Sequence, residues 1–252
     1  MPAATVLTLK SGRVPQALHV RGWVYHLLAR YREDVHDGEG PRPFSLALGK
    51  ENGLTWVRVA FLDDDLAASF AEAVWSLRPK VLPLRSGTAK IESILELSHP
   101  LAGKTTWGEI LNTKPRTDLQ LEFLSPTFFR RRGFNYPVPE PALTLYSLAQ
   151  KWSAFAPEPV PDEALETLIE HATVRYLRGK TIYAQAHEQT AGFVGQIAYH
   201  LHGAGNEAAL WLGRLGGMAF YSGVGAKTTL GFGLVREYQR QPKRSGNGQA
   251  EA

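Results

Sequence analysis

The 252-residue chain contains no cysteine. That one absence excludes disulfide scaffolds, thiolate nucleophiles, zinc fingers and iron–sulfur clusters together. Long apolar runs are also missing, and nothing approaches the roughly 20 residues that a membrane-spanning helix needs. The first sixteen residues have no basic segment leading into an apolar core, so no signal peptide is expected. Excess charge is slight: 28 basic against 24 acidic side chains leave a formal net charge of +4. This mild basic bias suits a polyanionic partner without requiring one. What the chain does have is a 44% hydrophobic fraction and 10% aromatics, enough to bury a substantial core. A cytoplasmic protein with no membrane attachment is the expectation.

Hydrophobic periodicity divides the chain into two similar halves. Residues 3–10 alternate apolar and polar as a half-buried strand should. From Gln16 to Arg32, apolar residues at Leu18, Trp23, Leu27, Leu28 and Tyr31 predict an amphipathic helix. Two strands, SLALG and LTWVRVAFL, follow across a GKENG turn. Asp63, Asp64 and Asp65 then stand where a helix N-cap belongs; capping explains them better than a metal site. A strand in TAKIESILELS closes a βαββαβ series, the ferredoxin-like order. His99 to Thr117 reads as a linker. Beyond it come a strand (DLQLEFLSP), helices from Pro141 to Phe155 and in DEALETLIEHA, two long strands, a helix over residues 206–221 and a last strand in LGFGLVREYQ. The expected class is α+β, with two tandem ferredoxin-like, RRM-like domains over residues 1–115 and 116–240. A polar, flexible tail is expected over 241–252.

The most distinctive segment lies near the end. Gly223, Gly225, Gly231 and Gly233 form a GxG-x5-GxG frame around Lys227, between a helix and a strand. Such a loop can cradle phosphates with its N–H groups, or it can simply turn the chain tightly. A nucleotide P-loop is excluded. That motif needs glycine before the lysine and five residues earlier, where Ala226 and Tyr221 stand, and it runs strand, loop, helix. A dinucleotide fingerprint fails on the same order of elements.

Eight histidines are the natural candidates for proton transfer near neutral pH. His200 and His202 share a strand face but lack a third metal ligand at motif spacing. His36 is placed differently, in the loop segment His36-Asp37-Gly38-Glu39-Gly40-Pro41-Arg42-Pro43-Phe44 between a helix and a strand. Arg130, Arg131 and Arg132, followed by Gly133 and Phe134, form the densest basic run, near Phe128, Phe129 and Tyr136, which either pack or stack on bases. Lys180 and Arg175 are further phosphate-contact candidates.

GVGAKTTLGFGLV, preceded by GFVGQIAYHL and a helix ending in MAFYSG, resembles the C-terminal signature of the RAMP superfamily of CRISPR-associated proteins. Within it, the closest resemblance is to the endoribonucleases that process precursor CRISPR RNA. The resemblance implies two ferredoxin-like domains and RNA binding through the loop residues Gly223, Gly225, Lys227, Gly231 and Gly233. Contacts from Arg130 to Arg132 would add to the grip. HDGEGPRPF is similar to that family's histidine–acidic pair followed by a basic residue and phenylalanine. By that resemblance His36 is the catalytic histidine, Arg42 fills the basic position and Tyr25 the tyrosine position on the preceding helix. Arginine stands where some members carry lysine; since it keeps its proton, Arg42 is expected only to stabilise phosphate charge. The implied reaction is metal-independent and cofactor-free. The 2′-hydroxyl attacks the neighbouring phosphate, leaving a 2′,3′-cyclic phosphate and a 5′-hydroxyl. The alternative is a non-cleaving RAMP subunit that holds crRNA in an effector complex. The resemblance leaves room for a homodimer and for effector-complex subunits as partners, alongside the repeat RNA.

Overall fold

The computed structural model describes residues 1–10, 14–31, 40–51, 53–84, 87–185 and 188–238. Its first sheet is built from β1 (Ala3–Lys10), β2 (Phe44–Glu51), β3 (Leu54–Phe61), β4 (Val81–Leu84), β5 (Gly87–Leu95) and β6 (Gly103–Lys104). Two helices serve this sheet, α1 (Ala17–Leu28) and α2 (Asp64–Ser76). The strand order is β2-β3-β1-β5-β4, with β6 also paired to β1. Central strand β1 runs antiparallel to both β3 and β5. With β4 set aside as a hairpin partner of β5, this is the expected βαββαβ arrangement. Asp63 does cap α2, accepting the Leu66 amide at 3.0 Å.

The second sheet repeats the pattern with β7 (Asp118–Thr127), β10 (Ala172–Gln185), β11 (Gln189–Leu201) and β12 (Val235–Glu237). Its order, β10-β11-β7-β12, is the same permutation of first, second, third and fourth strands. Helices α4 (Pro141–Phe155), α5 (Asp162–His171) and α6 (Asn206–Ser222) cover one of its faces. Pro141 opens α4 at a position whose N–H would have no partner in the helix. The fold is therefore α+β with two tandem ferredoxin-like units.

Several expectations need correction. β1 is buried along nearly its whole length rather than on one face. Leu7 and Leu9 pack under α1 and α2, while Val6 packs on the other side against Leu234 and Phe220 of the second unit. Helix α1 is shorter than expected, and Leu18 and Tyr31 are 44% and 43% exposed, outside the core. The segment taken as a plain linker holds β6 and a short helix, α3 (Trp107–Leu111). Thr106 and Glu109 set α3 with reciprocal capping bonds. FFRRRGFNY forms a hairpin of β8 (Phe129–Arg131) and β9 (Phe134–Tyr136). No described helix is long and apolar enough to cross a membrane.

Candidate nucleic-acid interface and active site

The glycine-rich segment begins where α6 ends, and that end is held by side chains from three other elements. A helix leaves its last four carbonyls without partners of its own. Arg58 of β3 donates from Nη2 to the Phe220 carbonyl at 2.7 Å. Ser45 of β2 donates to the Tyr221 carbonyl at 2.8 Å. Lys151 of α4 donates to the Ser222 and Gly223 carbonyls at 3.2 and 2.9 Å. Arg58 and Lys151 are both buried, and they meet carbonyls, the Ser45 hydroxyl and the Phe220 ring. The negative end of the α6 dipole compensates these charges. Arg58 also donates to the Leu101 carbonyl at 2.8 Å and stacks 4.4 Å from the Phe220 ring centroid. The two ferredoxin-like units are thus tied together at the root of the loop.

Burial pushes the Arg58 guanidinium down to about 9, which still leaves it charged at neutral pH. Burial pushes the Lys151 ammonium down further, to about 7. A neutral amine retains two N–H donors, enough for both carbonyls. Between about pH 7 and the usual lysine value of 10.5, the unfolded chain binds this proton and the folded one does not. Stability should therefore rise with pH across that window. Thermal melts of wild type and Lys151→Met test this: the difference between them should move in favour of wild type from pH 7 to 9.5. Parallel curves would show that Lys151 does not titrate there.

The loop glycines serve mainly close packing. The Val224 amide donates to the Gly233 carbonyl at 2.8 Å and the Ala226 amide to the Phe128 carbonyl at 2.8 Å. Gly225 donates to Ser147 Oγ at 2.8 Å and Gly233 to the Pro126 carbonyl at 3.1 Å. These amides are unavailable to a phosphate, and at these positions the segment serves as the tight turn, the other reading of its glycines. A Cβ on Gly225 would lie 2.4 Å from the Phe128 carbonyl, and one on Gly233 only 2.0 Å from that of Val224. Gly231 is different: its neighbours are Ala17 and Leu48 of the first unit, both at 3.5 Å. Beside it a cavity of about 540 Å³ opens between the start of α1, β2 and the end of β10. Lys227 adopts φ 55° and lies 3.7 Å from Glu188, with its ammonium 5.9 Å from the Phe128 ring centroid. It is a positioned charge rather than a mobile one.

Of the residues expected to do chemistry, His36 lies outside the described residues; the chain leaves Tyr31 after α1 and returns at Gly40. Arg42 is half-buried just before β2. Tyr25 belongs to the first core, 7% exposed with its ring edge-on to Phe44 at 5.2 Å. The structure thus gives Tyr25 a packing position, because the apolar face of α1 that carries Trp23, Val24 and Leu27 carries it too. His200 pairs with Asp118 at 3.0 Å, and His202 meets Thr173 at 3.0 Å. Among the described residues no group of three or more His, Asp or Glu side chains converges on a metal position.

Arg130, Arg131 and Arg132 lie on the β8–β9 hairpin and are exposed. Arg131 is paired with Glu140 at 3.1 Å. A second basic surface runs along edge strand β10, where Arg178 and Lys180 are exposed and Arg175 reaches Asp118 at 3.4 Å. Arg178 was not singled out from sequence, although the run VRYLRGK carries the signal. The buried clamp of Arg58 and Lys151 was missed as well. A lone charge inside the apolar strand WVRVAF was its visible trace.

Tandem ferredoxin-like units, a glycine-rich segment held between them and arginines displayed on a hairpin are the features that the RAMP resemblance leads one to expect. Known proteins agree. Residues 121–235 match the family model of the CRISPR-associated endoribonuclease Cas6. The Cas6 endoribonuclease of Streptococcus thermophilus is 31% identical over 138 residues, 53% of this chain and 56% of that protein. That of Mycobacterium tuberculosis is 27% identical over 54% of this chain and 44% of its own. The chain thus matches about half the length of these curated relatives. Solved structures match more fully. A Cas6 product complex is 44% identical, with a TM-score of 0.88 over 94% of this chain and 99% of that one. Thermus thermophilus Cas6 is 31% identical, with a TM-score of 0.76 over 94% and 98%. The chain belongs to the Cas6 family.

Proposed function

We propose that this protein is an endoribonuclease that cuts CRISPR repeat RNA in precursor crRNA, without a metal ion. The observation that carries this reading is the 44% identity to a Cas6 product complex over almost the whole of both chains. A Cas6 substrate-mimic complex at 43% identity supports a substrate of the same kind. In the proposed reaction the ribose 2′-hydroxyl attacks the adjacent phosphorus, a P–O bond forms to it, and the bond to the 5′-oxygen breaks. His36 moves a proton at this centre, either from the 2′-hydroxyl or to the departing 5′-oxygen. Arg42 stabilises the charge on the phosphorane and keeps its own proton. Tyr25 fills the tyrosine position of the site on the preceding helix. Arg130, Arg132 and Lys227 hold phosphates, as does the exposed side of the segment at Gly231; Gly223, Gly225 and Gly233 shape that segment. A second copy of the chain and effector-complex subunits are further partners on this reading, and the reaction takes place in the cytoplasm.

Incubating the protein with repeat RNA in excess EDTA tests the proposal. Two fragments are expected, the upstream one ending in a 2′,3′-cyclic phosphate. Tight binding without cutting, with or without added divalent metal, would favour the non-cleaving RAMP subunit instead. Cutting only after metal is restored would overturn the metal-independent mechanism.

A further inference from the structure

The aromatic residues around the arginine run have different environments. Phe128 and Phe129 are buried. Tyr136 is half-buried, with its hydroxyl donated to Glu140 and its ring 5.1 Å from the Arg131 guanidinium. Phe134 instead stands 77% exposed at the tip of the β8–β9 hairpin. We propose that Phe134 is a stacking platform for an unpaired nucleobase of the RNA, at the end of a rigid arginine-flanked finger. This rests on the reading of the chain as an RNA-cutting Cas6 protein and adds a specific contact to it.

Rigidity is the first argument. Arg131 pairs with Phe134 across a two-residue turn, and the turn residues Arg132 and Gly133 have φ of 50° and 84°. Positive φ at both positions is the type I′ geometry, whose twist matches that of the strands. The base of the finger is fastened by buried Phe129 and by Glu140, which binds both Arg131 and Tyr136. Asn135 adds a bond to Thr190 on β11 at 3.3 Å. A ring carried on a backbone fixed in this way requires little further ordering of the chain when a base lies on it.

Charge decides the occupant. Of the three arginines, Arg131 is balanced by Glu140 and Arg130 donates to the Gly133 carbonyl, while Arg132 forms no ion pair among the described residues. Cations beside an exposed ring suit a base with its phosphates, and a π-face is available only where a base is unpaired or at a helix end. The finger is also continuous with the glycine-rich segment: Glu188 contacts Asn135 at 3.4 Å and Lys227 at 3.7 Å. A strand crossing Lys227 could therefore reach Phe134.

The test measures equilibrium binding of repeat RNA to wild type, Phe134→Ala, Phe134→Trp and Arg132→Ala over a range of salt. Phe134→Ala should weaken binding on the order of tenfold with an unchanged salt slope, because stacking releases no counterions. Arg132→Ala should reduce the slope by about one. Phe134→Trp should keep its affinity, and RNA should quench its indole fluorescence. Wild-type affinity in Phe134→Ala would overturn the proposal, as would a change in oligomeric state with RNA binding intact. Failure of the wild type to bind repeat RNA would instead overturn the function on which it rests. Since the ring is exposed, unchanged melting temperatures in the two Phe134 variants would exclude misfolding as the cause.

Discussion

Single-turnover cleavage of repeat RNA by His36→Ala should fall about 10²- to 10⁴-fold, the usual worth of a positioned acid or base. RNA affinity should stay close to that of wild type. The expectation rests on the proposed role of His36, and the other candidates are differently placed. Tyr25 is packed into the first core against Phe44, His200 and His202 are engaged with Asp118 and Thr173, and Arg42 cannot release its proton at ordinary pH. His36 is the proposed proton carrier by the resemblance of HDGEGPRPF to the family pattern. The rate of Arg42→Ala should also fall, because the variant lacks the cation that offsets charge on the phosphorane. Undiminished cutting by His36→Ala would remove histidine from the centre of the mechanism.

The second large effect is structural. Gly233→Ala should cost about 3 kcal/mol or more, combining a strained positive φ with a backbone clash. Its φ is 74° and an added Cβ would lie 2.0 Å from the Val224 carbonyl, an atom fixed by its own peptide. Gly231→Ala supplies the contrast. Its φ is 89°, but its nearest neighbours are side-chain carbons at 3.5 Å, so about 1–2 kcal/mol of backbone strain is all that is expected. Denaturant unfolding of the two variants measures both. Equal stabilities would show that the GxG glycines are not there for close approach.

Much of the fold was legible because its signals are local. Asp63 before an apolar helix marks an N-cap, Pro141 marks the first turn of α4, and GKENG marks the β2–β3 turn. Shorter elements escaped. β4, β6, β8 and β9 have two to four residues each, too few for a period to show. Burial of β1 on both faces was also illegible, because the second cover comes from Leu234 and Phe220, more than 200 residues away in sequence. Sequence distance also hid the clamp on α6, whose side chains lie 71 to 176 residues from the carbonyls they hold. Arg58, Ser45 and Lys151 acquire meaning only when three elements meet at four consecutive carbonyls. The glycine frame was visible from the outset, but which of its amides face the protein depends on Phe128, Pro126 and Ser147. Sequence spacing identified the segment and packing assigned its work.

Cleavage in EDTA of repeat RNA carrying a single 2′-deoxynucleotide at the scissile position tests the central claim most directly, with the all-ribose RNA as control. The account predicts equal binding of both RNAs, cutting of the control to a 2′,3′-cyclic phosphate, and no cutting of the deoxy substrate. Cleavage of the deoxy substrate at the same position would contradict it, because the nucleophile would then come from somewhere other than the RNA itself.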